Sequence, residues 1–175
     1  MKKSILCLAL ASLMLGAYSC SNDAKKASEE TSSTETLKPV EPRLTPGQKN
    51  SKEGKEYIQN LLKKDSTVKV TESGLAYKVI KEGNGEKPTM KNTVKVDYTG
   101  RRVDGKVFDA SEGTPIEFPL DGVIPGFSEG LMLMNKGAIY ELYIPGELAY
   151  GESGANGVFK PNELLIFEIE LIDFK

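Results

Sequence analysis

The stretch TVKVDYTGRRVDGKVF, residues 93–108, contains the pattern that decides the fold. Its first half alternates apolar and polar residues, with Val94, Val96 and Tyr98 on one face, which predicts a strand with one buried side. Asp104-Gly105 then separates two short strand-like segments, an arrangement typical of a β-hairpin with a two-residue turn. This stretch therefore predicts two antiparallel strands within a sheet.

Further strand-like segments flank this stretch. Residues 75–81 resemble a strand, and residues 138–144 and 165–171 alternate between apolar and polar side chains. The helical candidate among them is a short apolar segment at residues 127–134. Several strands and one short helix predict the α+β class, with a twisted antiparallel sheet wrapped around the helix. We expect residues 66–175 to form this domain, which is long enough for one core.

A short amphipathic helix is expected before the sheet domain. Tyr57, Ile58, Leu61 and Leu62 fall at i, i+1, i+4 and i+5, so they share one helical face, and this spacing predicts a helix over residues 51–65. An isolated helix of this length is only marginally stable in water. Its apolar face should therefore pack against the following domain or against a partner.

Residues 1–19 have the organisation of a secretory signal peptide. Lys2 and Lys3 precede an apolar run at residues 5–15, and small residues follow it. The run is shorter than the about 20 apolar residues that span a bilayer, which favours a cleaved signal over the alternative of a retained membrane anchor.

The end of the signal segment suggests a lipid anchor. The stretch GAYSC, residues 16–20, resembles a bacterial lipoprotein cleavage box, which implies that Cys20 is lipidated. A secreted protein with an unpaired cysteine is the alternative. Residues 20–50 are rich in Ser, Thr, Glu, Lys and Pro and contain no aromatic residue, a composition typical of a disordered tether.

Composition and charge exclude several classes of function. The net charge is −2, and Lys and Arg do not cluster on the expected domain, which argues against nucleic-acid binding. The chain has no His, which excludes a Ser-His-Asp triad, a Cys-His pair and an imidazole metal site. The stretch GFSEG, residues 126–130, matches the G-x-S-x-G nucleophile elbow, but that motif requires a His base. We therefore expect neither a hydrolase site nor a metal.

Aromatic residues are the remaining candidates for a functional site. Core packing is their commonest use in a small domain, but the motifs around them indicate a second role. These motifs resemble, in the same order, those of the FKBP-type peptidyl-prolyl cis-trans isomerases: VDYTG (96–100), DGKVFDAS (104–111), PIEF (115–118), VIPGF (123–127), LAYG (148–151) and LLIFEIEL (164–171). The VIPG stretch (123–126), together with the predicted helix and the TESGL stretch (71–75), most resembles the Mip branch of bacterial envelope enzymes. The resemblance covers residues 74–175, and it is specific because several separated motifs occur in the right order.

This resemblance implies a pocket that promotes rotation about X-Pro amide bonds. The rotation breaks no covalent bond, so it needs no nucleophile, cofactor or metal. By similarity, Asp109 would lie beside Tyr98, while the Ile124 N–H and the Tyr150 hydroxyl would donate hydrogen bonds to the substrate. Apolar walls would come from Phe108, Phe118, Val123, Phe127, Phe159 and Phe167, with Phe127 as the floor.

Two positions depart from the family pattern. Phe127 replaces the Trp that is common at the floor, and Ala155 stands where some members carry His. Substrate preference and affinity for macrolide inhibitors therefore stay open. The Mip branch also carries a longer N-terminal helical region used for dimerisation, and the shorter helix here favours a monomer.

The resemblance also implies partners and a location. We expect proline-containing unfolded or nascent exported polypeptides as substrates, and a chain anchored by its lipid in the cell envelope, facing the periplasm or the cell surface. Two rival hypotheses use the same sequence features. A binding module or holdase chaperone would use the apolar cleft without turnover, and a structural envelope lipoprotein would not use it at all.

Overall fold

The computed structural model describes residues 43–155 and 157–175. The predicted signal segment, Cys20 and residues 20–42 of the predicted tether lie outside this part of the chain. Neither α-helix in the described part combines the length and the apolar character of a membrane span. The elements are α1 (Pro46–Lys64), β1 (Val68–Val70), β2 (Ala76–Lys81), β3 (Thr93–Arg102), β4 (Val107–Ala110), β5 (Ile116–Pro119), α2 (Pro125–Leu133), β6 (Ile139–Ile144) and β7 (Leu165–Phe174), with three short 3-10 turns at Leu120–Gly122, Gly146–Leu148 and Gly151–Ser153.

The strands of the described residues form one antiparallel sheet of seven strands. Its order is β1-β2-β6-β7-β3-β4, and β5 also pairs with β3. Strands β4 and β5 share one edge of β3, where they pair with its two ends, while β7 occupies the other edge along nearly the whole strand. The α+β class predicted from the sequence is confirmed.

Alternation along the strands divides the apolar side chains between the two faces of the sheet. Leu142 and Phe167 belong to the larger buried cluster, which includes residues of α2. Their strand neighbours Tyr143 and Ile166 belong to a second cluster, which includes Ile58 of α1. The two helices therefore cover opposite faces, and only the face under α2 carries the aromatic residues of the candidate site.

Helix α1 begins at Pro46 rather than at residue 51, so the end of the predicted tether is helical. The Thr45 hydroxyl accepts a hydrogen bond from the Gln48 N–H, and the Gln48 side chain accepts one from the Thr45 N–H. This capping box satisfies two N–H groups at the helix start, and Pro46 at the first helical position has a backbone angle suited to it. Local capping thus extends the helix into a polar segment.

The apolar face of α1 packs as expected except at its C-terminal end. Ile58 is buried against the sheet, with Tyr57 and Leu61 packed beside it. Leu62, however, lies beside Val70 of the edge strand β1 and stays 38% exposed. The helix therefore reaches the margin of the sheet, where its last apolar side chain is only partly covered.

The hairpin between β3 and β4 has a three-residue loop, so the predicted two-residue turn is wrong. The Arg102 N–H donates to the Lys106 carbonyl over 3.0 Å, and the Gly105 N–H donates to the Arg102 carbonyl over 2.9 Å. Gly105 has a φ of 84°. A left-handed residue after a tight turn adds one residue to the loop and matches the right-handed twist of the strands.

We expect Ile58→Ala to lower the free energy of unfolding by about 2–4 kcal/mol, because it leaves a cavity between α1 and the sheet. Leu62→Ala, one turn later on the same helix, should lower it by less than about 1 kcal/mol because Leu62 is already partly exposed. Urea unfolding of both variants checks this. Equal losses would show that α1 does not pack through Ile58.

Candidate active site

One cavity brings the candidate residues together. All ten predicted side chains line it, together with Val158, which sequence reasoning did not single out: Tyr98, Phe108, Asp109, Phe118, Val123, Ile124, Phe127, Tyr150, Val158, Phe159 and Phe167. Its volume is about 60 Å³. One water needs about 10–15 Å³ on the same scale, so the cavity holds about four to six groups of that size, the scale of one five-membered ring.

Phe127 lies at the centre of the aromatic lining. It is the first buried aromatic residue of α2, and its ring centroid lies 5.1 Å from that of Phe167, 5.6 Å from Phe118 and 5.9 Å from Tyr98. Two of these contacts are edge-to-face, with interplanar angles of 79° and 81°. Such geometry places the positive edge of one ring against the negative face of another, so the rings fix one another in place.

A polar pair lies at one side of the cavity. The Tyr98 hydroxyl donates to Asp109 Oδ2 over 2.7 Å. Burial raises the pKa of Tyr98 well above its ordinary value, and the hydrogen bond to Asp109 and the negative charge of that carboxylate raise it further. The phenol therefore stays protonated as a donor at neutral and moderately alkaline pH.

Ser111 holds this polar pair in register, a role that sequence reasoning missed. Its hydroxyl accepts a hydrogen bond from the Tyr98 N–H over 2.8 Å and donates to Asp97. The Ser111 N–H donates to the Tyr98 carbonyl over 3.0 Å. Ser111 follows β4, so these contacts fix the end of β4, and with it Asp109, against β3. The residue lies in the DGKVFDAS motif, but nothing in the local pattern indicated its partner.

Another part of the cavity lining comes from the loop between β6 and β7. The rings of Tyr150 and Phe159 stack with centroids 4.5 Å apart and an interplanar angle of 11°. Phe159 also meets Phe108 edge-to-face, with centroids 4.9 Å apart. The rings of Phe108, Tyr150 and Phe159 therefore form one continuous part of the lining, which we call the loop wall.

Ile124 closes the cavity at the start of α2. It is the N-cap residue, and its carbonyl accepts hydrogen bonds from the N–H groups of Phe127 and Ser128. Within residues 43–155 and 157–175, no hydrogen bond uses the Ile124 N–H as donor. Ile124 is a residue of the cavity lining, so its N–H is a candidate donor to a ligand.

The apparent nucleophile elbow is a structural feature of α2. The Ser128 side chain is buried, and its hydroxyl donates to the Leu120 carbonyl over 2.6 Å. Its hydroxyl proton is thus used within the core.

In the described part of the chain, no three His, Cys, Asp or Glu side chains are grouped to hold a metal ion. The cavity can therefore bind an apolar group and orient its polar neighbour, using rings, a phenol, a carboxylate and a backbone N–H.

We expect Gly100→Ala to displace two rings of the cavity wall. A methyl group at Gly100 would lie 2.7 Å from the Phe108 ring and 2.8 Å from the Phe167 ring, well inside the about 3.5–4.0 Å at which carbon atoms pack. The free energy of unfolding should fall by about 1–3 kcal/mol, and the ring resonances of both phenylalanines should shift in NMR spectra. Thr99→Ala, on the opposite face of β3, should leave those resonances in place. Unshifted ring resonances in the Gly100 variant would contradict this packing.

Two family models match the chain. The model described as FKBP-type peptidyl-prolyl cis-trans isomerase matches residues 84–172, which contain the cavity. The model described as the domain amino terminal to FKBP-type peptidyl-prolyl isomerase matches residues 2–79, which include α1.

Individual relatives agree with these matches. Peptidyl-prolyl cis-trans isomerase Mip of Coxiella burnetii is 51% identical over 110 residues, which are 62% of this chain and 48% of the relative. FkpA, an FKBP-type peptidyl-prolyl cis-trans isomerase of Escherichia coli, is 47% identical over 128 residues, which are 72% of this chain and 47% of the relative. The chain thus spans about half the length of both. The crystal structure of FkpA from Escherichia coli superposes with a TM-score of 0.69 and 46% identity, covering 74% of this chain and 61% of that chain. These similarities in sequence and fold establish that the chain belongs to the FKBP-type peptidyl-prolyl cis-trans isomerase family, in its Mip branch.

Proposed function

We propose that this chain is a peptidyl-prolyl cis-trans isomerase that acts on X-Pro bonds in unfolded polypeptides. The observation that carries the proposal is the aromatic cavity of about 60 Å³ with the Tyr98–Asp109 pair among its lining groups. The cavity suits one proline ring in size, and the polar groups suit the amide that precedes the ring. Membership of the family supports the same activity.

The cavity would lower the rotation barrier mainly by excluding water. The barrier is about 18–20 kcal/mol because resonance keeps the amide planar. The planar amide is more charge-separated than the twisted form, so an apolar environment raises its free energy relative to the twisted form. A reduction of roughly 5 kcal/mol would accelerate rotation by about 10³ to 10⁴.

Hydrogen bonds would then favour the rotated carbonyl. The Ile124 N–H and the Tyr150 hydroxyl are the proposed donors, because both residues line the cavity. Donors fixed before the reaction stabilise a developing geometry without reorganising. Asp109, which accepts a hydrogen bond from the Tyr98 hydroxyl, would help to orient the substrate carbonyl. Phe127 would lie under the proline ring.

The biological substrates would be exported proteins. The signal-like residues 1–19 and the lipobox-like stretch that ends at Cys20 support a chain anchored in the cell envelope, facing the periplasm or the cell surface. We infer that it acts there as a monomer, since the apolar residue Ile58 of α1 is buried against the chain's own sheet. Macrolide inhibitors are a further proposed ligand class, because macrolide binding is a general property of the family.

A proline tetrapeptide assay tests the activity. We expect the wild-type chain to accelerate isomerisation of a Phe-Pro or Leu-Pro tetrapeptide, and Tyr150→Phe to lower kcat/KM by about threefold to tenfold through loss of one hydrogen bond. Tyr57→Phe also removes one phenol hydroxyl, but Tyr57 lies on the face of the sheet that α1 covers. This variant should therefore keep the wild-type kcat/KM.

A wild-type rate equal to the uncatalysed rate would overturn the proposed activity. Suppression of aggregation of a client without prolines, with no isomerisation, would instead identify a holdase that uses the same cavity. A structural envelope protein would show neither effect, and substitutions in the cavity would leave its behaviour unchanged.

Palmitate labelling tests the anchor. We expect radiolabelled palmitate to be incorporated into the wild-type chain and into Cys7→Ser, because Cys7 lies within the signal segment. Cys20→Ser should incorporate none, because it removes the only thiol that the lipobox-like stretch contains. Equal labelling of the two variants would exclude lipidation at Cys20.

A further inference from the structure

Arg102, the last residue of β3, lies behind the loop wall of the cavity. Its Cζ atom is 5.6 Å from the ring centroid of Phe108 and 5.6 Å from that of Phe159. We propose that Arg102 is a positioning residue that holds Phe159 and the rest of the loop wall in place. It thereby sets the affinity for the substrate residues beside the proline. The inference rests on the proposed isomerase function, and it assigns a role to a residue outside the cavity lining.

The first argument is the contact with the two rings. A guanidinium within about 6 Å of a ring centroid is attracted by the negative face of the ring, with a larger effect when the pair is partly desolvated. The Arg102 side chain is only 21% exposed. Since Phe108 and Phe159 also meet edge-to-face, one cation lies against the pair of rings that closes this side of the cavity.

The second argument is that Arg102 binds the loop on both sides of Phe159. Its Nη2 donates to the Val158 carbonyl over 2.5 Å, and its Nε donates to Glu163 Oε1 over 3.0 Å. The other carboxylate oxygen of Glu163 accepts a hydrogen bond from the Lys160 N–H over 2.8 Å. The planar guanidinium suits this task because it offers several donors in a fixed geometry.

The third argument is that the hydrogen bonds within the loop do not tie it to the sheet. The Phe159 N–H donates to the Ala155 carbonyl over 3.2 Å, and the Ala155 N–H donates to the Phe159 carbonyl over 3.1 Å. Both bonds join residues of the same loop, and loops are more mobile than the elements they connect. Arg102 adds hydrogen bonds that join this loop to β3.

A separate contact anchors the far end of the loop. The Asn50 side chain of α1 donates to the Pro161 carbonyl over 2.7 Å. This bond holds the backbone two residues after Phe159, whereas Arg102 holds the residue directly before it. Because α1 already fixes the end of the loop, loss of Arg102 should free the Phe159 ring without unfolding the domain.

Freeing the wall should affect binding more than turnover. A ligand must then order Phe159 when it binds, at a cost that corresponds to roughly threefold to tenfold in affinity per side chain. Of the groups proposed to act on the amide, Tyr98, Asp109 and Ile124 make no hydrogen bond with Arg102 in the described structure. The fourth, Tyr150, stacks on Phe159, but it lies between two 3-10 turns that support its backbone independently of Arg102. We expect Arg102→Leu to raise KM by about threefold to tenfold and to change kcat by less than about twofold.

The test compares Arg102→Leu and Arg102→Lys with Arg101→Lys. Arg101, the preceding residue of β3, binds Glu141 instead of the loop, so its lysine variant is a matched control for loss of a guanidinium. Three quantities are measured in the full chain: KM and kcat on the Phe-Pro tetrapeptide, the dissociation constant of that peptide by NMR titration, and hydrogen exchange of the Phe159 amide. We expect the Arg102 variants to bind more weakly and to exchange faster at Phe159, with Arg102→Lys between Leu and wild type, and Arg101→Lys to match wild type.

Wild-type peptide affinity and wild-type exchange at Phe159 in Arg102→Leu would overturn the inference. Equal changes in the Arg101 and Arg102 lysine variants would also overturn it, because they would indicate a general loss of stability. Absence of turnover in the wild-type chain is a different result. It would overturn the proposed isomerase activity, while exchange at Phe159 and the peptide dissociation constant would still decide the role of Arg102.

Discussion

The packing of rings on Phe127 keeps a cavity open where an apolar core would otherwise close. Side chains around a cavity of about 60 Å³ lack packing partners on one side, which costs on the order of 1 kcal/mol. Phe127 contacts three other rings, and each such pair contributes about 0.5–1.5 kcal/mol beyond the area it buries. The ring contacts therefore offset the free-energy cost of the cavity, and the domain keeps an apolar cavity that is formed before a ligand binds.

The cavity geometry depends largely on one face of β3. Residues two apart on a strand point to the same side of the sheet, so Tyr98, Gly100 and Arg102 share a face. Tyr98 supplies a ring and the donor to Asp109. Gly100 leaves room for the rings of Phe108 and Phe167. Arg102 supplies the cation behind the wall, so three successive positions on one strand face serve three different physical roles.

Local sequence patterns were sufficient to predict the elements that have a clear period. The strands around Val96 and Ile169 and the short helix at Phe127 followed from alternation and from apolar character. The early start of α1 was readable from Thr45 and Gln48, but the polar composition around them favoured a tether. The loop length of the β3–β4 hairpin could not be predicted from the sequence, because Asp104-Gly105 fits both a two-residue turn and a three-residue loop that ends in a left-handed glycine.

The candidate site was predictable only through the order of its motifs. No local pattern brings Tyr98, Phe127 and Phe159 to one cavity, since the three lie on a strand, a helix and a loop. Similarity to a family supplied that information. It could not supply contacts that depend on pairs of residues distant in this chain, such as Ser111 with Asp97 or Arg102 with Glu163.

The register of the sheet explains why Arg102 reaches the loop. Arg102 pairs with Leu165 at the start of β7, so Glu163, two residues earlier, lies within range of its side chain. Three of the groups proposed to act on the amide, Tyr98, Asp109 and Ile124, are held by β3, β4 and the start of α2. The fourth, Tyr150, belongs to the loop and stacks on Phe159. A change in the loop or in its cation can therefore alter the wall and the Tyr150 donor together, while the other three groups keep their geometry.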